Sequence, residues 1–194
     1  MKMTKGKAAA GTSIIAAIIL TAVTLIGTQE KPNNSGWYDA AFQKEMVAAG
    51  WHKGDSWCVY FCKVVWNKSI TNDTVRTLAM KMIVGNSQST LANFRKDTSG
   101  WFVLTDSARK GSIVIWQHMK NGVPEWSGHA GIVDSVYPAG HKYDWSSIEG
   151  NTNNNGSSNG YIVLRKDRRY NWKAVNGLRI KKFIGINLRR YGHE

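Results

Sequence analysis

The sequence predicts an α+β fold in which helices come first along the chain and an antiparallel sheet follows. Between residues 37 and 97, apolar side chains recur at the three- and four-residue spacing of helices. From residue 111 onward the pattern changes to short apolar runs separated by turn residues, which is typical of strands. A helical block followed by a strand block indicates α+β, and we expect helices packed on an antiparallel sheet of about five strands.

Four segments have the apolar spacing of helices: 37–49, 57–66, 73–82 and 87–97. Gly50 is a suitable end for the first, because glycine readily adopts the left-handed conformation that follows a helix. Asp55 and Ser56 directly precede the second segment, and both residue types are good N-caps. The second segment is apolar on nearly every side, which predicts a central helix buried in the core.

Five later segments have the pattern of strands: 111–116, 129–137, 145–149, 160–165 and 178–187. Asn121 and Gly122 form the dipeptide that is typical of a tight hairpin turn. The stretch 151–160 is rich in Asn, Gly and Ser, so we expect a loop between the third and fourth strands.

The N-terminal segment has the order of a secretory signal, because basic residues precede an uncharged stretch from 8 to 29 with an apolar centre at 14–26. A stretch of roughly 20 residues is also long enough to span a bilayer as a helix. This charge order does not favour a helix buried in the protein core. We expect a signal peptide or membrane anchor over 1–29, a polar linker over 30–36 and a folded domain over 37–194. The domain is then exported and either stays anchored, facing the periplasm or cell wall, or is secreted after cleavage.

The chain is strongly basic, with 26 Lys and Arg against 13 Asp and Glu and a net charge of +13. Ten of the cations fall between residues 165 and 190, where there is one acidic residue. Such a run is either a solvated strand face or a surface that binds a polyanion. Export makes nucleic acid an improbable partner and favours an anionic lipid or wall polymer. Two cysteines in 194 residues argue against a disulfide scaffold.

Cys58 falls in the first turn of the predicted central helix. The unpaired N–H groups and the positive end of the helix dipole favour an anion there, and a thiolate is the nucleophilic form of cysteine. The alternative is a cysteine that only fills core space, which is the role we expect for Cys62. A zinc site formed by Cys58, Cys62 and a histidine is a further alternative, although the spacing is not that of structural zinc sites.

A thiol nucleophile needs a base, and His129 stands out among five histidines because it lies at the start of a predicted strand. Gly128 and Gly131 flank it and allow other backbone to approach closely. A third group would orient the imidazole by accepting its Nδ1–H. Glu149 and Asn151 are the candidates, since side chains two apart on a strand point to the same side. The alternative for His129 is a packing role.

Four stretches together resemble one known family: Trp-Cys at 57–58, Lys-Gly-Ser-Ile-Val at 110–114, Gly-His-Ala-Gly-Ile-Val at 128–133 and Ile-Glu-Gly-Asn at 148–151. They occur in the order found in the CHAP domain, the cysteine- and histidine-dependent amidohydrolase/peptidase family of the papain-like, NlpC-related superfamily. The resemblance covers about residues 37 to 187. Ser112 is a departure, because the family usually has Asp after the glycine.

The resemblance implies a papain-like CHAP fold and hydrolysis of an amide bond in peptidoglycan. Cys58 would attack the carbonyl, His129 would transfer protons, and Glu149 or Asn151 would orient His129. The Cys58 N–H and a second, unidentified donor would bind the oxyanion, with no cofactor and no metal. The enzyme would be a monomeric N-acetylmuramoyl-L-alanine amidase or peptidoglycan endopeptidase, acting in phage lysis as an endolysin or in bacterial wall remodelling. The alternative is an inactive wall-binding module of the same fold.

Overall fold

The computed structural model describes residues 5–154 and 160–191, with side chains described from residue 14 onward. These ranges contain six α-helices: α1 (Lys5–Thr24), α2 (Ala40–Ala48), α3 (Cys58–Ser69), α4 (Asp73–Met82), α5 (Ser87–Arg95) and α6 (Leu188–Tyr191). They also contain six strands: β1 (Phe102–Thr105), β2 (Ile113–Lys120), β3 (Val123–Val136), β4 (Trp145–Thr152), β5 (Ile162–Arg168) and β6 (Gly177–Ile186). The predicted α+β class is confirmed.

The six strands form one sheet in the order β1-β6-β2-β3-β4-β5, and all neighbours are antiparallel. Asn121 and Gly122 both have positive φ and join β2 to β3 in a two-residue hairpin, as predicted. Because the hairpin is so tight, β3 begins at Val123 rather than at the predicted 129. The edge strand β1 was not predicted, since four residues are too few to reveal an alternating pattern.

Side chains from alternate positions of β2 enter two different apolar clusters, one on each face of the sheet. Ile113 and Ile115 join the large cluster formed with the helices. Val114 and Trp116 join a smaller cluster on the other face, which includes Phe183. This period-two alternation is the geometry of an extended strand buried on both faces.

Helix α3 is the central element of the helical layer, as its sequence predicts. Eight of its twelve residues are buried. It contacts α1, α2, α4, β3 and β4, and its exposed residues, Asn67 and Lys68, lie near its C-terminal end. The first turn of α3 is therefore positioned by packing from several directions at once.

Helix α1 packs against α3, and in this respect the structure differs from the sequence expectation. Ile14, Ile18 and Ala22 lie one turn apart and are buried in the large cluster. An apolar i, i+4 spacing is found both in helices that face lipid and in helices that face a protein core. The sequence pattern therefore did not reveal that α1 packs on α3. Among the described residues, no helix combines the length and apolar character needed to cross a bilayer. The signal or anchor role of 1–29 stays a prediction, and its three basic side chains lie outside the described side chains: Lys2, Lys5 and Lys7.

The segment that follows α1 is bound to the edge strand β5. The Gly27 N–H donates to the Val163 carbonyl at 2.9 Å, and the Glu30 N–H donates to the Tyr161 carbonyl at 2.7 Å. The predicted linker 30–36 therefore begins with a residue that is fixed to the sheet and whose side chain is buried. Of the predicted loop 151–160, residues 155–159 lie outside the described ranges.

Candidate active site

Cys58 is the first residue of α3, and the helix start is not capped in the predicted way. Trp57 occupies the N-cap position and makes no side-chain capping hydrogen bond. The Asp55 carboxylate instead accepts the His52 N–H at 3.1 Å. The N-cap side chain therefore does not satisfy the backbone N–H groups of the first turn of α3.

The indole of Trp57 fixes the start of α3. Its Nε1 donates to the buried Glu30 carboxylate at 2.7 Å, and its ring packs edge-on against Trp37 with 5.4 Å between ring centroids. On the other side, a Cβ at Gly150 would lie 2.5 Å from Trp57 Cζ3. Because β4 carries a glycine there, the strand and the helix start approach closely enough to bring their side chains together.

The structure places Cys58, His129 and Glu149 side by side. Cys58 lies close enough to His129 for its charge to raise the pKa of the imidazole, and His129 Nε2 lies 2.9 Å from Glu149 Oε2. The carboxylate therefore contacts Nε2, which corrects the expectation that it would accept the Nδ1–H. Since Nε2 is engaged by Glu149, Nδ1 is the ring nitrogen left for the sulfur. The catalytic role of the three residues stays a prediction.

Glu149 is completely buried and is held by three partners. His129 contacts Oε2, the Ser147 hydroxyl donates to Oε1, and Arg168 donates from Nε to Oε1 at 2.7 Å and from Nη2 to Oε2. Burial by itself raises the pKa of Glu149, but the Arg168 charge and the hydrogen bonds outweigh it and lower the pKa from 4.5 to about 2. The carboxylate is thus a permanent negative charge behind the imidazole.

The pKa of His129 responds to both neighbours. Burial lowers it, but the charge and hydrogen bond of Cys58 and the Glu149 carboxylate raise it from 6.5 to about 9. The ring also stacks on Trp116, with 5.6 Å between ring centroids. An imidazolium cation therefore lies beside the Cys58 sulfur at neutral pH, clamped between an indole and a carboxylate.

Arg168 is a site residue that the sequence interpretation missed. It lies opposite Trp145 in the sheet register, on the face that also carries Ser147 and Glu149, because alternate residues of a strand share a face. Its guanidinium also lies over the Trp116 ring, 5.0 Å from the centroid. Nothing in the sequence distinguishes it from the nine other cations of the basic run, and only the pairing of β5 with β4 would have identified it.

Asn151, the other candidate for orienting the imidazole, does not contact it. The pairing of β4 with β5 is irregular between Glu149 and Thr152, and Asn151 has a φ of 53°. The bulge interrupts the strand alternation on which the sequence expectation depended. Asn151 is buried, and its Oδ1 has no hydrogen-bond partner within the described ranges. Of the two candidates, Glu149 is therefore the one that hydrogen-bonds to His129, and its orienting role stays a prediction.

The glycines beside His129 allow the close approaches that the sequence predicted. A Cβ at Gly128 would lie 2.2 Å from the Trp116 carbonyl oxygen, and one at Gly131 would lie 2.7 Å from Glu149 Cγ. A real side chain at either position would clash. Because Gly131 has no Cβ, the Glu149 side chain can lie against β3 at this point and reach the His129 imidazole.

A cavity of about 340 Å³ opens in front of Cys58. Its walls come from the loop before α3, from residues 85–87 and from the start of β3. Trp126 lies on its rim with 84% of its surface exposed. Cys58 is 6% exposed and lines this cavity, so a substrate would reach it from the cavity side. The surrounding protein covers its other sides.

Cys62 faces the core, as expected. Burial raises the pKa of its thiol well above 9.0, and the neighbouring Cys58 and Glu149 charges raise it further. The described part of the chain contains no group of three or more His, Cys, Asp or Glu side chains that could hold a metal ion. The zinc alternative with Cys58, Cys62 and a histidine therefore has no ligand set there.

Comparison with known proteins gives no match: no protein-family model, no curated protein and no solved structure matches this chain.

Proposed function

We propose that this chain is a peptidoglycan hydrolase with a papain-like CHAP fold that cleaves an amide bond by a cysteine–histidine mechanism. The observation that carries the proposal is the grouping of Cys58, His129 and Glu149, with Cys58 lining a cavity and the other two residues behind it. Thiol hydrolysis needs a nucleophile, a group that carries protons and a group that orients the proton carrier. Cys58, His129 and Glu149 match these three requirements in turn.

The reaction follows from the charges of the site. The Cys58 thiolate attacks the carbonyl carbon, and the oxyanion accepts the Cys58 N–H at the start of α3. His129, present as the imidazolium, donates its proton to the leaving amine and leaves a thioester on Cys58. His129 then takes a proton from water, the resulting hydroxide attacks the thioester, and the acid product is released. Glu149 holds the ring in orientation throughout, and Arg168 holds Glu149.

An anionic wall polymer is the substrate class that fits the surface of the protein. The net charge of +13 attracts polyanions, and the predicted export segment would deliver the domain to the wall. The exposed Trp126 at the cavity rim offers a flat apolar face of the kind that stacks on sugar rings. Both a muramoyl amidase and an endopeptidase fit this site, in phage lysis or in wall remodelling.

Zymography in gels that contain purified peptidoglycan tests the proposal. We expect clearing by the unaltered protein and by the matched control Cys62→Ala, and none by Cys58→Ala. Clearing by Cys58→Ala would overturn the proposal. If none of the three proteins clears the gel but all three bind cell walls, the inactive wall-binding module would be favoured. Mass spectrometry of the released muropeptides then identifies which amide bond is cut.

A further inference from the structure

A second cavity, of about 400 Å³, lies beside the turn that leads into the start of β2. It shares no lining residue with the cavity in front of Cys58. One wall is the turn at 109–112 that leads into β2, and the other is the segment 185–189, where β6 ends and α6 begins. The proposed hydrolysis does not use this cavity.

The first wall is held rigidly by backbone hydrogen bonds. The Ser112 N–H donates to the Arg109 carbonyl at 3.0 Å, which closes the turn. The Gly111 N–H donates to Val133 at 2.8 Å, and the Gly111 carbonyl accepts the Trp66 indole N–H at 3.2 Å. The turn therefore presents the side chains of Arg109 and Lys110 from a fixed base.

The second wall is fixed in the same way at Asn187. Its N–H donates to the Trp101 carbonyl at 2.8 Å, and its side-chain amide donates to the Gly100 carbonyl at 2.9 Å. Arg189, two residues further on, also lines the cavity. Two walls that are distant in sequence thus hold cationic side chains around one space.

The charge of this cavity is of one sign. Three of its lining residues are cationic and none is acidic: Arg109, Lys110 and Arg189. Five Lys or Arg side chains elsewhere in the described ranges form salt bridges with carboxylates, such as Arg165 with Asp134 at 2.7 Å. The three cavity cations have no salt-bridge partner in the part of the chain that the structure describes.

We propose that this cavity is a binding site for a phosphate group. Guanidinium groups bind phosphate oxygens through paired N–H donors, and a lysine adds a point charge. Three cations that line one cavity, without a salt-bridge partner among the described residues, match the several oxygens and the charge of a phosphate better than a single carboxylate. The phosphate can belong to a free ion, to a phosphodiester polymer or to a lipid headgroup. This proposal is independent of the chemistry at Cys58.

Calorimetric titration of the full chain tests the proposal with three probes: inorganic phosphate, poly(glycerol phosphate) and vesicles of phosphatidylglycerol in phosphatidylcholine. The variant carries Arg109→Ala, Lys110→Ala and Arg189→Ala. The control carries Lys96→Ala, Lys120→Ala and Lys173→Ala, which are also exposed and away from the cavity lining. Both lower the net charge from +13 by the same amount, so they separate a site from general attraction.

We expect at least one probe to bind the unaltered protein, with affinity reduced about tenfold or more in the cavity variant at low salt and nearly unchanged in the control. The probe that responds identifies the source of the phosphate. Equal losses in both variants, equal retention in both, or no binding of any probe would overturn the proposal. All three positions are exposed, and the single charge reversal Arg189→Glu must weaken binding in the same direction if the triple variant unfolds.

Discussion

Replacing Arg168 by methionine should destabilise the protein through Glu149. Methionine keeps much of the apolar contact with Trp116. It removes the guanidinium charge that pairs with the fully buried Glu149 carboxylate. The drop in the Glu149 pKa from 4.5 to about 2 corresponds to about 3 kcal/mol of folding free energy. Breaking a buried ion pair by removing one partner costs about 3–5 kcal/mol, which is the same size.

The direction of the pH dependence follows from the lowered pKa of Glu149. A carboxyl whose folded pKa lies below its unfolded value contributes its full stability above pH 4.5 and loses it as the pH falls towards 2. The loss caused by Arg168→Met should therefore be complete at pH 7 and should shrink below pH 4.5. His129 shares the carboxylate, so part of the stabilisation remains in the variant.

Urea unfolding at pH 7 and at pH 3.5 measures both effects. Arg169→Met is the matched control, because Arg169 is the next residue, carries the same charge and is exposed. We expect an unfolding free energy at pH 7 that is lower by about 3 kcal/mol or less for Arg168→Met and nearly unchanged for Arg169→Met. Equal unfolding free energies for the two variants at pH 7 would refute the assigned role of Arg168.

Three further outcomes are expected. After Cys58, Glu149 is the second neighbour that raises the His129 pKa, so Glu149→Gln should move the alkaline fall in kcat/KM to lower pH. Iodoacetamide should label Cys58 in the folded protein and reach Cys62 only after unfolding, as peptide mass mapping can determine. Trp126→Ala should raise KM for intact peptidoglycan while leaving kcat and KM for a sugar-free stem peptide nearly unchanged.

Each of these outcomes has a result that contradicts it. An alkaline limb of kcat/KM that stays in place in Glu149→Gln, or that moves equally in the control Asn151→Ala, would argue against the link between Glu149 and His129. Equal alkylation rates of the two thiols would argue against the sheltered position of Cys62. A parallel rise in KM for both substrates in Trp126→Ala would mean that the indole does not contact sugar.

The parts of the fold and site that the sequence predicted are those fixed by local chemistry. The Asn121-Gly122 hairpin follows from positive φ at two positions, and the buried α3 follows from an apolar run with no polar face. Cys58 stands at the start of α3, as predicted. His129 was expected to open a strand, but β3 begins at Val123 and His129 lies within it, beside Gly128. Such signals lie within a few residues of one another and need no knowledge of the tertiary structure.

What the sequence did not predict depends on partners that are distant along the chain. Arg168 differs from its basic neighbours only through the register of β5 on β4. The burial of Ile18 was missed because an apolar stripe has the same appearance whether lipid or protein covers it. Asn151 was expected to point with Glu149, and a bulge that leaves no mark in the sequence separates them.

The attachment of 27–30 to β5 has a practical consequence for any shortened form of the protein. These residues occupy hydrogen-bonding positions on an outer strand of the sheet, and Glu30 satisfies the indole N–H beside the reactive sulfur. A chain trimmed to begin at residue 37 would leave that strand open to pairing with another molecule and would leave the Trp57 nitrogen without its acceptor. We expect self-association and a less firmly held Cys58 to appear together in such a chain. A shortened form that keeps 27–30 but lacks α1 would still lose the core contacts of Ile14, Ile18 and Ala22.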